Sequence, residues 1–103
     1  MENVDLPTEL SEEIVSEVSQ IFKALGDPTR LKILYLLAQQ EVSVNEISER
    51  LDLKQSTVSH QLRLLKSLRL VKYRRAGTTL YYSCDDSHVM NTLIETIEHT
   101  LHH

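Results

Sequence analysis

Apolar positions follow the helical period along most of this chain and give way to strand-like alternation once. Ile14, Val18, Ile21, Phe22 and Leu25 fit one helix face. Pro7-Thr8 is expected to open that first helix and Gly26 to stop it. Asp27 then offers an N-cap and Pro28 a first-turn proline for a second helix, which carries Leu31, Ile33, Leu34 and Leu37 and runs to about Gln40. Both helices read as core. A short helix with Val44, Ile47 and Leu51 on one face follows, broken by a tight Asp52-Leu53-Lys54 turn. A longer helix begins near Gln55 or Ser56, with its apolar stripe on Val58, Leu62, Leu65 and Leu68. That is helix-turn-helix spacing. Two runs rich in Val, Tyr and Thr come next, Leu70 to Arg75 and Thr79 to Cys84, with Ala76-Gly77 between them. Gly77 permits the positive φ of a hairpin tip. A last helix begins at Asp85-Asp86 and carries Val89, Leu93, Ile94, Ile97 and Leu101. The order predicts a mainly α fold with a β-hairpin wing, a winged helix-turn-helix.

Residues 1–103 read as one domain, uninterrupted by repeats, linkers or low-complexity tracts. At 103 residues and 41% hydrophobic, the chain is near the size at which a partner helps to bury enough apolar surface. No apolar stretch is long enough for a membrane span and no signal-peptide pattern is present, so a cytoplasmic location and no membrane partner are expected. Cys84 is the only cysteine, which rules out an intrachain disulfide and a cysteine-rich metal cluster; it reads as a buried strand-end residue.

A net charge of -4 argues at first against nucleic acid. Its distribution reverses the argument. Acid is concentrated early, in Glu9, Glu12, Glu13 and Glu17 among others, whereas Lys54 to Cys84 contains no Asp or Glu at all. That stretch holds Lys54, Arg63, Lys66, Arg69, Lys72, Arg74 and Arg75 out of eleven Lys and Arg in total. A segregated basic patch decides whether phosphate can dock. On the longer helix the apolar stripe leaves Ser56, Ser59, His60, Arg63 and Lys66 facing outward. Small hydroxyls near its start, Thr57 among them, let a helix approach the floor of a major groove, while Gln55, His60, Gln61 and Arg63 can reach base edges or phosphates. An ordinary solvated face usually alternates Glu with Lys, and this one has no acid. Arg74 and Arg75 would form a basic wing beside it. Tyr73, Tyr81 and Tyr82 read as strand packing, because a duplex offers no unstacked base. Double-stranded DNA is the expected partner.

Asp86, His88, His99 and His102 form a second pattern, D-x-H-x10-H-x2-H, across the last helix. Steps of three and eleven residues keep the three imidazoles on one face. His88 and His99 are nevertheless roughly 16 Å apart along a helix, while zinc takes nitrogens about 2.0–2.1 Å away. If two such helices lie antiparallel about a two-fold axis, Asp86 and His88 of one chain meet His99 and His102 of the other, twice. Four protein ligands then close a tetrahedral site. The same residues also fit simpler roles: a solvated face opposite the apolar one, a purification-tag remnant at His102-His103, and a helix cap at Asp86. His60 has no residue of ligand type one turn away.

Nearly the whole chain resembles the ArsR/SmtB family of metal-sensing winged-helix repressors. The resemblance is carried by the segments Phe22 to Leu34 (FKALGDPTRLKIL) and Gln55 to Leu62 (QSTVSHQL), together with the terminal D-x-H-x10-H-x2-H. It implies a homodimer formed through the first and last helices, an apo form bound to operator DNA, and a metal that causes release and so derepresses efflux or resistance genes. It implies that Asp86, His88, His99 and His102 are ligands for Zn(II) or Co(II), one per subunit across the dimer interface. Three His in place of a terminal Glu make the pattern most similar to the zinc and cobalt sensors of the family. His99 is then the residue expected to pass the change on, its second ring nitrogen bonding toward the end of the recognition helix near Arg69. The family's other site uses a cysteine pair where Ser43 and Asn45 stand here, and hydroxyl and amide groups cannot replace soft thiolates. Nickel and cobalt sensors of the family share the terminal pattern but add ligands from extended termini, for which His103 and the N-terminus are the candidates. A regulator indifferent to metal is the remaining alternative. An enzyme is not expected, nor a small-molecule substrate: four ligands leave no open position on a metal, and no G-x-S-x-G or H-E-x-x-H pattern occurs.

Overall fold

In the computed structural model, which describes residues 5–102, five helices and three short strands follow one another as α1 (Glu12–Leu25), α2 (Pro28–Gln39), β1 (Val42–Ser43), α3 (Val44–Leu51), α4 (Gln55–Ser67), β2 (Val71–Ala76), β3 (Thr79–Cys84) and α5 (Ser87–Leu101). His103, considered above as an extra ligand, lies outside the described residues.

Local chemistry sets most of the boundaries. Asp27 caps α2 by accepting from the Arg30 amide at 3.0 Å, with Pro28 in its first turn. Ser43 and Glu46 form a reciprocal capping box at the start of α3, satisfying two otherwise orphaned amides. Asp52 (φ 53) ends α3 in the left-handed region. Arg69 (φ 61) closes α4 in the same way, its amide donating to the Lys66 carbonyl at 3.0 Å and that of Leu70 to Leu65 at 3.0 Å. The wing turns at Gly77, whose φ of +65 suits a residue with no Cβ.

The sheet has the order β1-β3-β2, all antiparallel. β2 pairs with β3 from Val71↔Cys84 to Ala76↔Thr79, and β1 adds Val42↔Tyr82 and Ser43↔Tyr81. Ile33 and Leu34 of α2, Val42 of β1, Ile47 of α3, Val58, Leu62 and Leu65 of α4, and Leu70 and Val71 at the foot of the wing are fully enclosed. At about 1.5–3 kcal/mol for each buried aliphatic side chain, this cluster fixes the angle between α3 and α4.

The structure corrects two expectations. The first helix starts at Glu12, with Ser11 as its cap, its hydroxyl accepting from the Ile14 amide at 3.2 Å. Pro7-Thr8 lies in the irregular segment before it. Ser11 wins because Glu12 and Glu13 then occupy the first turn, where the helix dipole favours acid. The second correction concerns core. Only Ala24 of α1 is buried, with Ile21 and Leu25 half-buried against the core, whereas Ile14, Val15, Val18 and Phe22 are exposed, because only one edge of the helix's apolar face meets the rest of its own chain.

Candidate nucleic-acid interface and metal centre

The capping box and the left-handed Asp52 fold the chain so that the N-termini of α3 and α4 lie side by side. Across this junction Gln55, the first residue of α4, donates through Nε2 to Oδ1 of Asn45 in the first turn of α3; both residues are exposed. Ser56, His60, Arg63 and Lys66 are exposed along the same helix, and Thr57, Ser59 and Gln61 are half-buried. Gln61 departs from a purely outward role, since its Oε1 accepts from Arg30 Nε at 2.8 Å and ties α4 to α2.

The wing is docked against this helix. The Lys66 ammonium sits 5.2 Å from the centroid of Tyr73, and the Tyr73 and Tyr82 rings meet edge to face with centroids 5.5 Å apart. The tyrosines therefore pack within the wing, as the sequence suggests. Burial raises the Tyr82 phenol above its ordinary value, and Tyr73 adds to the shift while Arg63 opposes it. Burial likewise pushes the Cys84 thiol up, so this half-buried cysteine stays a thiol at neutral pH.

Strand alternation puts Arg75 on the face of Tyr73 and Arg74 on the other. Both are exposed, but Arg74 reaches across β3 to Glu41, which precedes β1. Its Nη2 and Nε donate to the carboxylate at 2.7 and 3.0 Å, and its guanidinium lies 5.0 Å from the Tyr81 ring centroid. Arg74 thus braces the sheet, a role its place in a basic run gave no sign of. Glu41 was invisible to sequence reasoning for the same reason, as nothing in its neighbourhood marks it.

Asp86 and His88 lie at the start of α5, His99 and His102 at its end. Asp86 is the N-cap: Oδ1 accepts from the His88 and Val89 amides at 2.7 and 3.3 Å. Its Oδ1 also lies 3.4 Å from Nδ1 of His88, whose side chain is 84% exposed. His99 and His102 are exposed as well. Among the described residues, no group of three or more His, Cys, Asp or Glu is gathered where it could hold a metal ion. One helix separates the two halves of the quartet, as the spacing requires. Between α1 and α5 runs an apolar groove of about 220 Å³, lined by Val18, Ile21, Phe22, Leu25, His88, Val89 and Thr92. Arg69 lines another groove beside α1, shared with Glu17, Gln20, Ile21 and Ser67. Among the described residues no helix is long and apolar enough to cross a membrane.

Residues 27–73 match the model of the family described as bacterial regulatory protein, arsR family. The chain is 44% identical over 93 residues to a transcriptional repressor SmtB homolog from Synechocystis, an alignment covering 90% of this chain and 70% of that one. It is 39% identical over 92 residues to the cadmium resistance transcriptional regulatory protein CadC homolog of Staphylococcus aureus, covering 88% and 76% of the two chains. Among solved structures it superposes on the homodimeric winged helix-turn-helix DNA-binding domain of a possible ArsR-family transcriptional regulator from Mycobacterium bovis, with a TM-score of 0.79 and 34% identity over 94% of this chain and 96% of that one. The chain accordingly belongs to the arsR family, as a DNA-binding winged-helix transcriptional regulator rather than an enzyme.

Proposed function

We propose that this protein is a metal-responsive transcriptional repressor whose apo homodimer holds operator DNA and whose Zn(II)- or Co(II)-bound form releases it. The observation that carries the reading is the placement of four ligand-type side chains at opposite ends of one exposed helix face, next to apolar surface that its own chain does not cover. A two-fold axis relating two copies of α5 antiparallel brings Asp86 and His88 to His99 and His102 at each end, giving one metal per subunit. The homodimeric M. bovis domain supports that assembly.

The donor set fits. One carboxylate and three imidazoles suit zinc and cobalt, and both cap bonds of Asp86 use Oδ1, so Oδ2 can ligate without uncapping α5. Bound metal would supply a clamp between two helices. The protein's part is to carry that clamp to the reading heads, for which His99 and Arg69 are the proposed relay, and metal and DNA must then weaken each other equally. Cadmium resistance, named for one relative, does not transfer through a cysteine site: Ser43 is buried in the α3 capping box and Asn45 bonds to Gln55. The regulated genes are proposed to encode metal efflux or resistance, and the location is proposed to be cytoplasmic.

The test is a cobalt(II) titration of tag-free apoprotein by visible absorption, with operator binding measured with and without zinc, on wild type and His99→Ala. Intense tetrahedral bands saturating at one metal per subunit, displaced by zinc and lost in the variant, are expected. The variant keeps apo DNA affinity near wild type. Weak octahedral bands would favour nickel and cobalt sensing, and absence of binding would leave a regulator with another signal.

A further inference from the structure

The junction between α3 and α4 carries an amide pair whose orientation has a consequence for base choice. A glutamine side chain can present three faces to a base edge: a carbonyl with one N–H, two N–H groups, or, reversed, the carbonyl alone. Adenine offers N7 as acceptor and N6–H2 as donor in the major groove, whereas guanine offers two acceptors, N7 and O6. An unrestrained Gln can turn to suit either.

Gln55 is restrained. Its Nε2 donates to Asn45 Oδ1, and both side chains are exposed at the paired N-termini of the helix-turn-helix. One of the two Nε2 hydrogens is thereby used, which leaves one N–H and Oε1 for a further partner. That remaining donor and acceptor match the N7 and N6 edge of adenine and mismatch guanine, which would require two donors. The position suits the task, because the first residues of a recognition helix are those that reach base edges. Asn45 is not itself in α4, and its side chain is separated from Gln55 by ten positions of sequence.

We infer that Asn45 is a specificity-positioning residue: it fixes the amide of Gln55 so that the dimer selects an adenine in each half-site. The inference rests on the DNA-reading function proposed above and adds the residue that sets one base of the operator. Aspartate at this position is the decisive variant. A carboxylate accepts and never donates, so Asn45→Asp must keep the Gln55 nitrogen turned inward while adding a charge that phosphates repel.

The experiment is selection of bound duplexes from a random pool by the full-length apoprotein, sequenced for wild type, Asn45→Ala, Asn45→Asp and Gln55→Ala. Wild type is expected to enrich a two-fold motif with one strongly preferred adenine per half-site. Asn45→Ala and Gln55→Ala should both lose discrimination at that same pair by about fivefold or more, with the other positions retained. Asn45→Asp should bind more weakly overall yet keep the adenine. An unaltered motif in Asn45→Ala, or a changed base in Asn45→Asp, overturns the inference while leaving DNA reading intact. A wild-type protein that enriches no sequence overturns the DNA-reading function and the inference with it.

Discussion

Phe22 offers a direct measure of how much the fold depends on a second copy. Its ring is 59% exposed although it lies on the apolar face of α1 and lines the groove against α5. Burying an aromatic side chain removes about 150–250 Å² from water, so roughly 90–150 Å² of this ring remains to be covered. At about 25 cal/mol per Å², that is worth about 2–4 kcal/mol. Two-fold symmetry counts the contribution twice. Phe22→Ala should therefore weaken self-association by about 4 kcal/mol or more, roughly a thousandfold in dissociation constant. Because the ring adds little to its own chain's core, the helical circular dichroism of the variant should stay close to wild type. Sedimentation equilibrium over nanomolar to high-micromolar concentrations reads the change directly. Zinc titration of the same samples makes a second demand: a monomer holds only half of each ligand set, so tight binding should disappear where the dimer does. A variant that dimerises as wild type does, or a monomer that still binds zinc tightly, would refute the reasoning.

Removing the α3 cap with Ser43→Ala should cost about 1 kcal/mol and lower Tm by roughly 4–8 °C, read by thermal denaturation of the apoprotein. Arg74 is engaged with Glu41 while Arg75 lies on the sheet face nearer α4, so Arg75→Ala should flatten the salt dependence of operator affinity by about 0.9 per lost phosphate contact. Arg74→Ala should leave that slope near wild type, and an equal loss in both would show that Arg74 contacts phosphate. Tyr82 holds its proton more tightly folded than unfolded because burial raises its pKa. Its contribution to stability is present below the ordinary tyrosine value of 10.0 and is lost as pH rises through the raised folded value, so Tyr82→Phe should lessen the alkaline fall in unfolding free energy.

The elements most legible in the sequence were those whose signals are local. Asp27-Pro28, the Asp52 turn and Gly77 each punctuate the chain by their own backbone chemistry, and the structure ends or turns elements at each of them. β1 is not legible in the sequence because two residues carry no periodicity; Val42 and Ser43 become a strand only when β3 lies beside them. Assigning the whole apolar face of α1 to the core holds for Ile21, Ala24 and Leu25 and fails for Ile14, Val18 and Phe22, for a related reason. Periodicity shows that a helix has an apolar face, and says nothing of whether its own chain or another covers it. At the site, the outward face of α4 was legible as a stripe. The partners of Gln55, Gln61 and Arg74 were not, since Asn45, Arg30 and Glu41 reach them only through tertiary placement.

Ser43 belongs to two elements at once. It pairs with Tyr81 as the end of β1, and its hydroxyl and amide complete the cap of α3. Opening the wing from its inner edge thus uncaps a helix of the reading head, and fraying that helix unpairs the wing. The two should behave as one unit in hydrogen exchange, with amides of β3 and the first turn of α3 protected to a common free energy rather than as separate local openings. For a small domain whose first helix contributes little to its own core, that shared residue ties the cooperativity of folding to the DNA-facing half of the molecule.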